Sequence, residues 1–194
     1  AELYGRNRGG GASALPWWQL RRAELLQLAR EHDSAFVYDL AEVRAAARAL
    51  RALKSVDRVY YAMKANPHTA LLRTIAAEGL GIECVSRGEI ERVCATLPEL
   101  ERGRILYTPN FAARSEYAWA YAQGATVTID NLYVLQAWPD VFRKREVLVR
   151  VDTGTGRGHH HHVRTAGAHT KFGIPLADLD QVVQLAAAAE CAIV

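Results

Sequence analysis

Three cysteines, one methionine and six prolines among 194 residues leave several classes of protein without support. Cys84, Cys94 and Cys191 are odd in number, lie in apolar surroundings and have no metal-ligand spacing. They argue against a disulfide-stapled secreted domain and fit a reducing cytoplasm. No apolar run approaches the roughly 20 residues that a membrane-spanning helix needs, and no signal-peptide pattern opens the chain. Charge of one sign is lacking too: 24 Lys and Arg against 21 Asp and Glu give a net of +3, too balanced to favour nucleic acid or an anionic membrane. The only methionine is Met63, so no initiator opens the chain, and Cys191-Ala192-Ile193-Val194 reads as a strand just begun. The sequence is therefore expected to be a piece of a longer polypeptide.

Half of the residues are hydrophobic, enough for one sizeable core. Residues 1–33 differ from the rest. Gly9-Gly10-Gly11 with Ala12 and Ser13 reads as a flexible linker. The stretch from Pro16-Trp17-Trp18 through Arg21-Arg22 to Leu25-Leu26 reads as a leading helix, with a tryptophan expected to pack on the following domain. From residue 34 onward, short apolar strands alternate with helical patterns. Strands are expected near Val37 and Val59–Met63, then at 82–85, 104–108, 126–130 and 146–152, with a last one from 191. Helices are expected after Asp39, after Pro67, near Ser86, Ser115 and Asn131, and over 176–189. That alternation implies a parallel sheet covered by helices, as an open doubly wound sheet or as a barrel.

The run Val59-Tyr60-Tyr61-Ala62-Met63 is short, apolar and rich in β-branched and aromatic residues, so it reads as a buried strand. Lys64 stands where that strand ends, and Asn66-Pro67 reads as the N-cap and first-turn proline of the next helix. An ammonium at the mouth of a buried strand is costly to desolvate unless its role is to lose its proton, and Schiff-base chemistry uses lysine for that reason. The alternative is a lysine that snorkels from a strand end.

The order and spacing of these segments settle which reading is preferred. Phe36-Val37-Tyr38-Asp39, then Tyr61-Ala62-Met63-Lys64-Ala65-Asn66, then Gly81-Ile82-Glu83-Cys84-Val85-Ser86 with Gly88-Glu89, resembles the fold-type III pyridoxal-phosphate decarboxylases. Val149-Arg150-Val151-Asp152-Thr153-Gly154, through Thr165 to Lys171-Phe172-Gly173-Ile174, continues the likeness, which covers residues 34–194. Within the family the pattern is most similar to the diaminopimelate decarboxylases. The resemblance implies an α/β fold, the N-terminal part of an eight-stranded (β/α) TIM barrel of the alanine racemase and ornithine decarboxylase type. It makes residues 34–194 an incomplete pyridoxal-phosphate-binding barrel, six strands counted from the one bearing Lys64. A closed barrel of this kind takes about 250 residues. The resemblance also makes Lys64 the residue that carries pyridoxal 5'-phosphate covalently.

Active sites of such barrels lie at the C-terminal ends of the strands. Arg150, inside an apolar run, must be paired, since an unpaired buried guanidinium is prohibitive. The resemblance directs it to the cofactor's phenolic oxygen or a nearby acid; a structural salt bridge is the alternative. Glu83 stands where the family more often has aspartate, and is expected to bind cofactor or pair with Arg150 or Lys64. Ser86-Arg87-Gly88-Glu89 is a capping-box pattern in which Glu89 serves a helix N-terminus; the family also places a glutamate here near the lysine, and both readings stand. His159 to His162 cannot easily turn three ligands onto one ion, because adjacent extended residues point opposite ways. The related proteins align a histidine with His160, so a loop near the site mouth or subunit interface is expected, with no metal. Gly154-Thr155-Gly156-Arg157-Gly158 lacks the following helix that a phosphate loop needs. Lys171 matches a lysine that contributes to dimer contacts in related decarboxylases.

The resemblance implies an amino-acid carboxy-lyase, most similar to enzymes that turn meso-diaminopimelate into lysine, working as a homodimer with shared sites. The segment alone is expected to be inactive. The ring-stacking histidine, phosphate loop, ring-nitrogen acid and partner-subunit cysteine of the family would all follow Val194. Sister activities stay open: ornithine, arginine or carboxynorspermidine decarboxylation, or amino-acid racemisation. So does a non-catalytic cofactor-binding relative. The N-terminal linker is also compatible with fusion behind an aspartate kinase.

Overall fold

The computed structural model describes residues 15–154 and 172–194. Its centre is a six-stranded, wholly parallel sheet. The strands are β1 (Tyr60–Ala62), β2 (Gly81–Cys84), β3 (Ile105–Tyr107), β4 (Thr126–Ile129), β5 (Glu146–Val149) and, later in the chain, β8 (Ala192–Ile193). They lie side by side in the order β1-β2-β3-β4-β5-β8. An open doubly wound sheet would reverse its strand order at a switch point. The monotonic order here is that of a barrel wall, and the six strands are those expected from sequence.

Register and burial divide the sheet into two faces. Successive side chains of a strand alternate, and paired residues of parallel strands share a face. Ile82, Cys84, Ile105, Tyr107, Val127, Ile129 and Val147 all point one way, and each is at most 1% exposed. Helices α3 (Leu40–Arg51), α4 (Thr69–Ala77), α5 (Arg87–Thr96), α6 (Arg114–Ala122), α7 (Tyr133–Ala137), α8 (Pro139–Phe142) and α9 (Leu179–Ala188) cover this outer face. Leu72, Ile75, Ile90, Val93, Tyr117, Leu135, Phe142, Val182 and Ala186 supply their inward stripes. Tyr117 is the hub of an aromatic cluster, its ring centroid 6.2 Å from Tyr107, 6.2 Å from Trp138 and 5.6 Å from Phe142. The other face carries Glu83, Leu106, Thr126 and Leu148, all half-buried.

Local chemistry explains where the helices begin. Asp39 caps α3, its carboxylate accepting from the Ala41 amide at 2.7 Å, and Ser86 caps α5 through the Glu89 amide at 3.3 Å. The start of α4 differs from expectation. Asn66 Oδ1 accepts from the His68 amide at 3.0 Å, and His68 Nδ1 accepts from Ala70 at 3.2 Å. The cap is therefore His68, because Asn66 spends its side chain on a turn and Pro67 falls ahead of the helix. Arg48 grips Glu78 with a two-pronged contact at 2.7 and 3.0 Å, tying α3 to the end of α4.

Three further expectations are corrected. No strand forms around Val37: residues 35–39 lack a ladder partner among the described residues, and Phe36 is 93% exposed. A strand requires a neighbour, and β1 pairs only with β2. The leading helix is present as α1 (Trp17–Leu20) and α2 (Arg22–Glu31), yet Trp17 is only half-buried, Trp18 is exposed, and neither joins the core. Finally, the strand expected over 146–152 breaks at Arg150. Beyond it β6 (Val151–Asp152) leaves the main sheet to pair with β7 (Ile174–Pro175). Gly173 makes that pairing possible. At φ 84°, a Cβ there would lie 3.0 Å from the Asp152 amide nitrogen and 3.2 Å from the Arg150 carbonyl, so only glycine passes.

Candidate active site at the strand ends

The C-terminal ends of β1 to β5 bring polar residues together that lie far apart in sequence. Lys64 sits in the single turn Met63–Ala65 directly after β1. The turn is held by buried Met63 below and by Tyr61, whose hydroxyl donates to the Asn66 carbonyl at 3.3 Å. Lys64 itself is exposed, and all of β1 is only half-buried. The buried strand expected from its composition is not found, because β1 is the edge of the described sheet and the face it shares with Glu83 is uncovered.

Glu83 is opposite Ala62 in register and half-buried on that inner face. It accepts a hydrogen bond from the Thr108 hydroxyl at the end of β3. Arg150 follows β5. Its amide donates to Ile129 at 2.8 Å and its carbonyl accepts from Ile174 at 2.8 Å, so the backbone is fixed on both sides. Its guanidinium donates to Asn110 Oδ1 at 3.1 Å and lies 4.8 Å from the ring centroid of Phe172. The ion pair between Arg150 and Glu83, one of the alternatives the sequence left open, does not form, nor does Arg150 meet any carboxylate within salt-bridge distance among the described residues. A side-chain amide and an aromatic face satisfy it instead. Glu89 accepts from the Val85 amide at 2.7 Å. The reciprocal cap is thus realised one residue earlier than the pattern suggests. His160 and Lys171 lie outside the described residues.

Sequence reasoning missed three residues here: Thr108, Asn110 and Asp130. Asp130 is 3% exposed at the end of β4; its Oδ1 accepts from Asn131 Nδ2 at 2.8 Å, and its Oδ2 is buried with no hydrogen-bond partner among the described residues. Burial pushes its carboxyl above the usual range, opposed first by the Asn131 hydrogen bond and then by others, including the Arg150 charge. The signal was present in sequence. Asp130 is the one acid closing the strand Thr126–Ile129, at the end where barrel sites gather.

An amine, a guanidinium, two carboxylates and neutral donors thus stand at one end of a parallel barrel wall, the end where sites of such folds gather. Comparisons with known proteins define the class. Residues 40–194 match the family described as pyridoxal-dependent decarboxylase, pyridoxal binding domain, and the chain belongs to that family. Diaminopimelate decarboxylase from Deinococcus radiodurans is 40% identical over 139 residues, 72% of this chain and 35% of that protein. Ornithine decarboxylase from Leishmania donovani is 26% identical over 155 residues, 79% of this chain and 21% of that protein. A crystal structure of a diaminopimelate decarboxylase superposes with a TM-score of 0.74 and 28% identity, over 89% of this chain and 41% of that one. The chain thus spans well under half the length of each of these relatives.

Proposed function

We propose that the full-length protein is a pyridoxal-phosphate-dependent amino-acid decarboxylase acting on meso-diaminopimelate to give lysine. The observation that carries this reading is the position of Lys64, at the strand end of a pyridoxal-binding domain and at the same end as Glu83 and Arg150. The donor set suits the cofactor. Among the described residues, Lys64 offers the only lysine amine at these strand ends, as covalent attachment to an aldehyde requires. Arg150, held by Asn110, offers a cation for an anionic oxygen, and Glu83, held by Thr108, is a fixed acceptor for a cationic group. When bound, the pyridinium ring supplies the electron sink for the pair left when carbon dioxide departs. The chain's own residues then have three tasks: to anchor, to orient, and to move a proton at the Lys64 amine.

Glu89 fits a supporting role, since its carboxylate holds the Val85 amide and with it the bend after Glu83. His160 and Lys171 are proposed for the site mouth and the subunit contact of a homodimer. Free Cys84, Cys94 and Cys191 agree with a cytoplasmic setting. No helix among the described residues is long and apolar enough to cross a membrane.

Borohydride reduction of the full-length protein with its cofactor, followed by peptide mapping, tests the anchor: the label is expected on Lys64. Label at Lys54, Lys144 or Lys171 with Lys64 untouched would overturn the assignment. Carbon dioxide release compared across meso-diaminopimelate, ornithine and arginine tests the substrate. Preference for ornithine, the substrate named for the Leishmania relative, would replace the specificity while leaving the chemistry intact.

A further inference from the structure

Glu83 and Arg150 are opposite charges at one end of the barrel wall, yet each is held by a neutral side chain and not by the other. Both neutral partners come from one short segment, Thr108-Pro109-Asn110, on the way from β3 to α6. The Thr108 hydroxyl donates to Glu83 Oε1, and Asn110 Oδ1 accepts from the Arg150 guanidinium at 3.1 Å. The polarity of the two contacts is matched. A carboxylate can only accept and a guanidinium can only donate, so a hydroxyl serves the first and an amide oxygen the second. The segment is also anchored. The Thr108 amide donates to the Cys84 carbonyl at 2.9 Å, and buried Pro109 fixes its own φ and disfavours helical backbone at Thr108. Two residues of extended backbone span about 7 Å, well beyond ion-pair contact.

We propose that Thr108 and Asn110 are positioning residues that act as a spacer: they keep Glu83 and Arg150 from closing on each other, so that both charges stay available to a ligand. A direct Glu83–Arg150 pair would satisfy each group and leave neither to bind anything else. Neutral partners relieve the cost of half-burying each charge without cancelling it. The ligand that suits this arrangement carries an anionic oxygen and a protonated nitrogen several ångströms apart on one framework. Its identification with pyridoxal phosphate rests on the function proposed above; the spacing is a property of the chain and does not depend on that identity.

A double-mutant cycle in the full-length protein without cofactor tests the spacer. Glu83→Gln, Arg150→Met and the pair are compared by urea unfolding, first in the parent and then with Thr108→Val and Asn110→Ala in place. In the parent the two substitutions should act independently, the unfolding constant of the pair agreeing with the product of the single effects within about two-fold. Without the spacer the charges are expected to pair directly, and the cycle should depart from independence by about five-fold or more. Asn110 is exposed, so Asn110→Ala alone repeats the cycle if the double loop variant folds poorly. Equilibrium binding of pyridoxal phosphate supplies the second readout. Thr108→Val and Asn110→Ala should each weaken it roughly ten-fold, and Thr108→Ser, which keeps the hydroxyl, should restore it. Coupling already present in the parent, independence in both backgrounds, or unchanged cofactor affinity in both loop variants would overturn the proposal. Lys64 labelling checks the cofactor reading separately; its failure sinks that reading and leaves the cofactor-free cycle as the measure of the spacer.

Discussion

Replacing Arg150 with alanine separates two accounts of how a cation is kept inside a barrel wall. If the guanidinium were locked to a buried acid, its removal would strand that acid and cost roughly 3–5 kcal/mol. The structure gives it different partners. The hydrogen bond to Asn110 joins a charge to an exposed amide, which water can satisfy once the arginine is gone, so the loss falls at the low end of about 1.5–3 kcal/mol for a charged hydrogen bond. Contact with Phe172 at 4.8 Å adds roughly 0.5–1 kcal/mol at a half-buried site. The main-chain bonds of residue 150 to Ile129 and Ile174 survive the substitution. Together these give about 2 kcal/mol. Urea unfolding of the full-length protein without added cofactor, followed by tryptophan emission, is the assay. With a slope near 1–3 kcal/mol per molar urea, the midpoint should drop by about 1 M. A loss above about 4 kcal/mol would refute the partner assignment, and no loss at all would show that neither contact is made in solution.

Asp130 gives a pH dependence of definite sign. Its carboxyl is raised in the folded state mainly by burial, with Asn131, Phe111 and Arg150 favouring the ionised form and the Tyr117 hydroxyl nearby, so the native state holds the proton more tightly than the unfolded chain. Stability should therefore fall as pH climbs from the ordinary aspartate range through the folded value, and Asp130→Asn should flatten that slope in pH-resolved melting. Tyr117→Phe is expected to be neutral or stabilising by up to about 1 kcal/mol, since the hydroxyl it deletes is buried with no partner among the described residues, and a clear drop in melting temperature would show a hidden donor or acceptor. The segment 1–194 expressed by itself should bind hydrophobic dye and elute as mixed species, because β1 and β8 present free edges and the inner face is only half-covered. A sharp monomeric peak with cooperative melting would contradict that.

The fold was legible because its driving force is local and periodic. Ile82 and Cys84, Ile105 and Tyr107, Val127 and Ile129 announce strands by alternation, and Ser86 and Asp39 announce helices by capping chemistry. Lys64 stands where the sequence placed it, in the turn that closes β1, although that strand is half-buried and the lysine exposed. What failed depended on partners distant in sequence. Val37 sits in a run that reads as strand but has no ladder to join, and no pattern within residues 35–39 reveals that. The Arg150–Glu83 pair was plausible from charge alone, yet Thr108, 25 positions from Glu83, and Asn110, 40 positions from Arg150, take those contacts. His68 displaced Asn66 as the cap because Asn66 accepts from the His68 amide in the preceding turn, which leaves the Ala70 amide to the His68 ring.

Stability and chemistry are assigned to opposite faces of one sheet. The outer face is apolar and sealed: Ile82, Ile105, Val127, Ile129 and Val147 have no exposure, and burial of that kind contributes on the order of 1.5–3 kcal/mol per side chain. The inner face and strand ends carry Glu83, Thr108, Asp130 and Arg150, whose desolvation works against folding unless neighbours repay it. Alternation makes the division possible, since a strand can devote every second residue to each purpose without compromise. It also sets the limit on what substitution can do. Under the proposed function, changes at Thr108, Asn110 or Asp130 are expected to alter how a ligand is held while leaving the helix-packed core in place, whereas changes one residue away, at Tyr107 or Ile129, strike the core first.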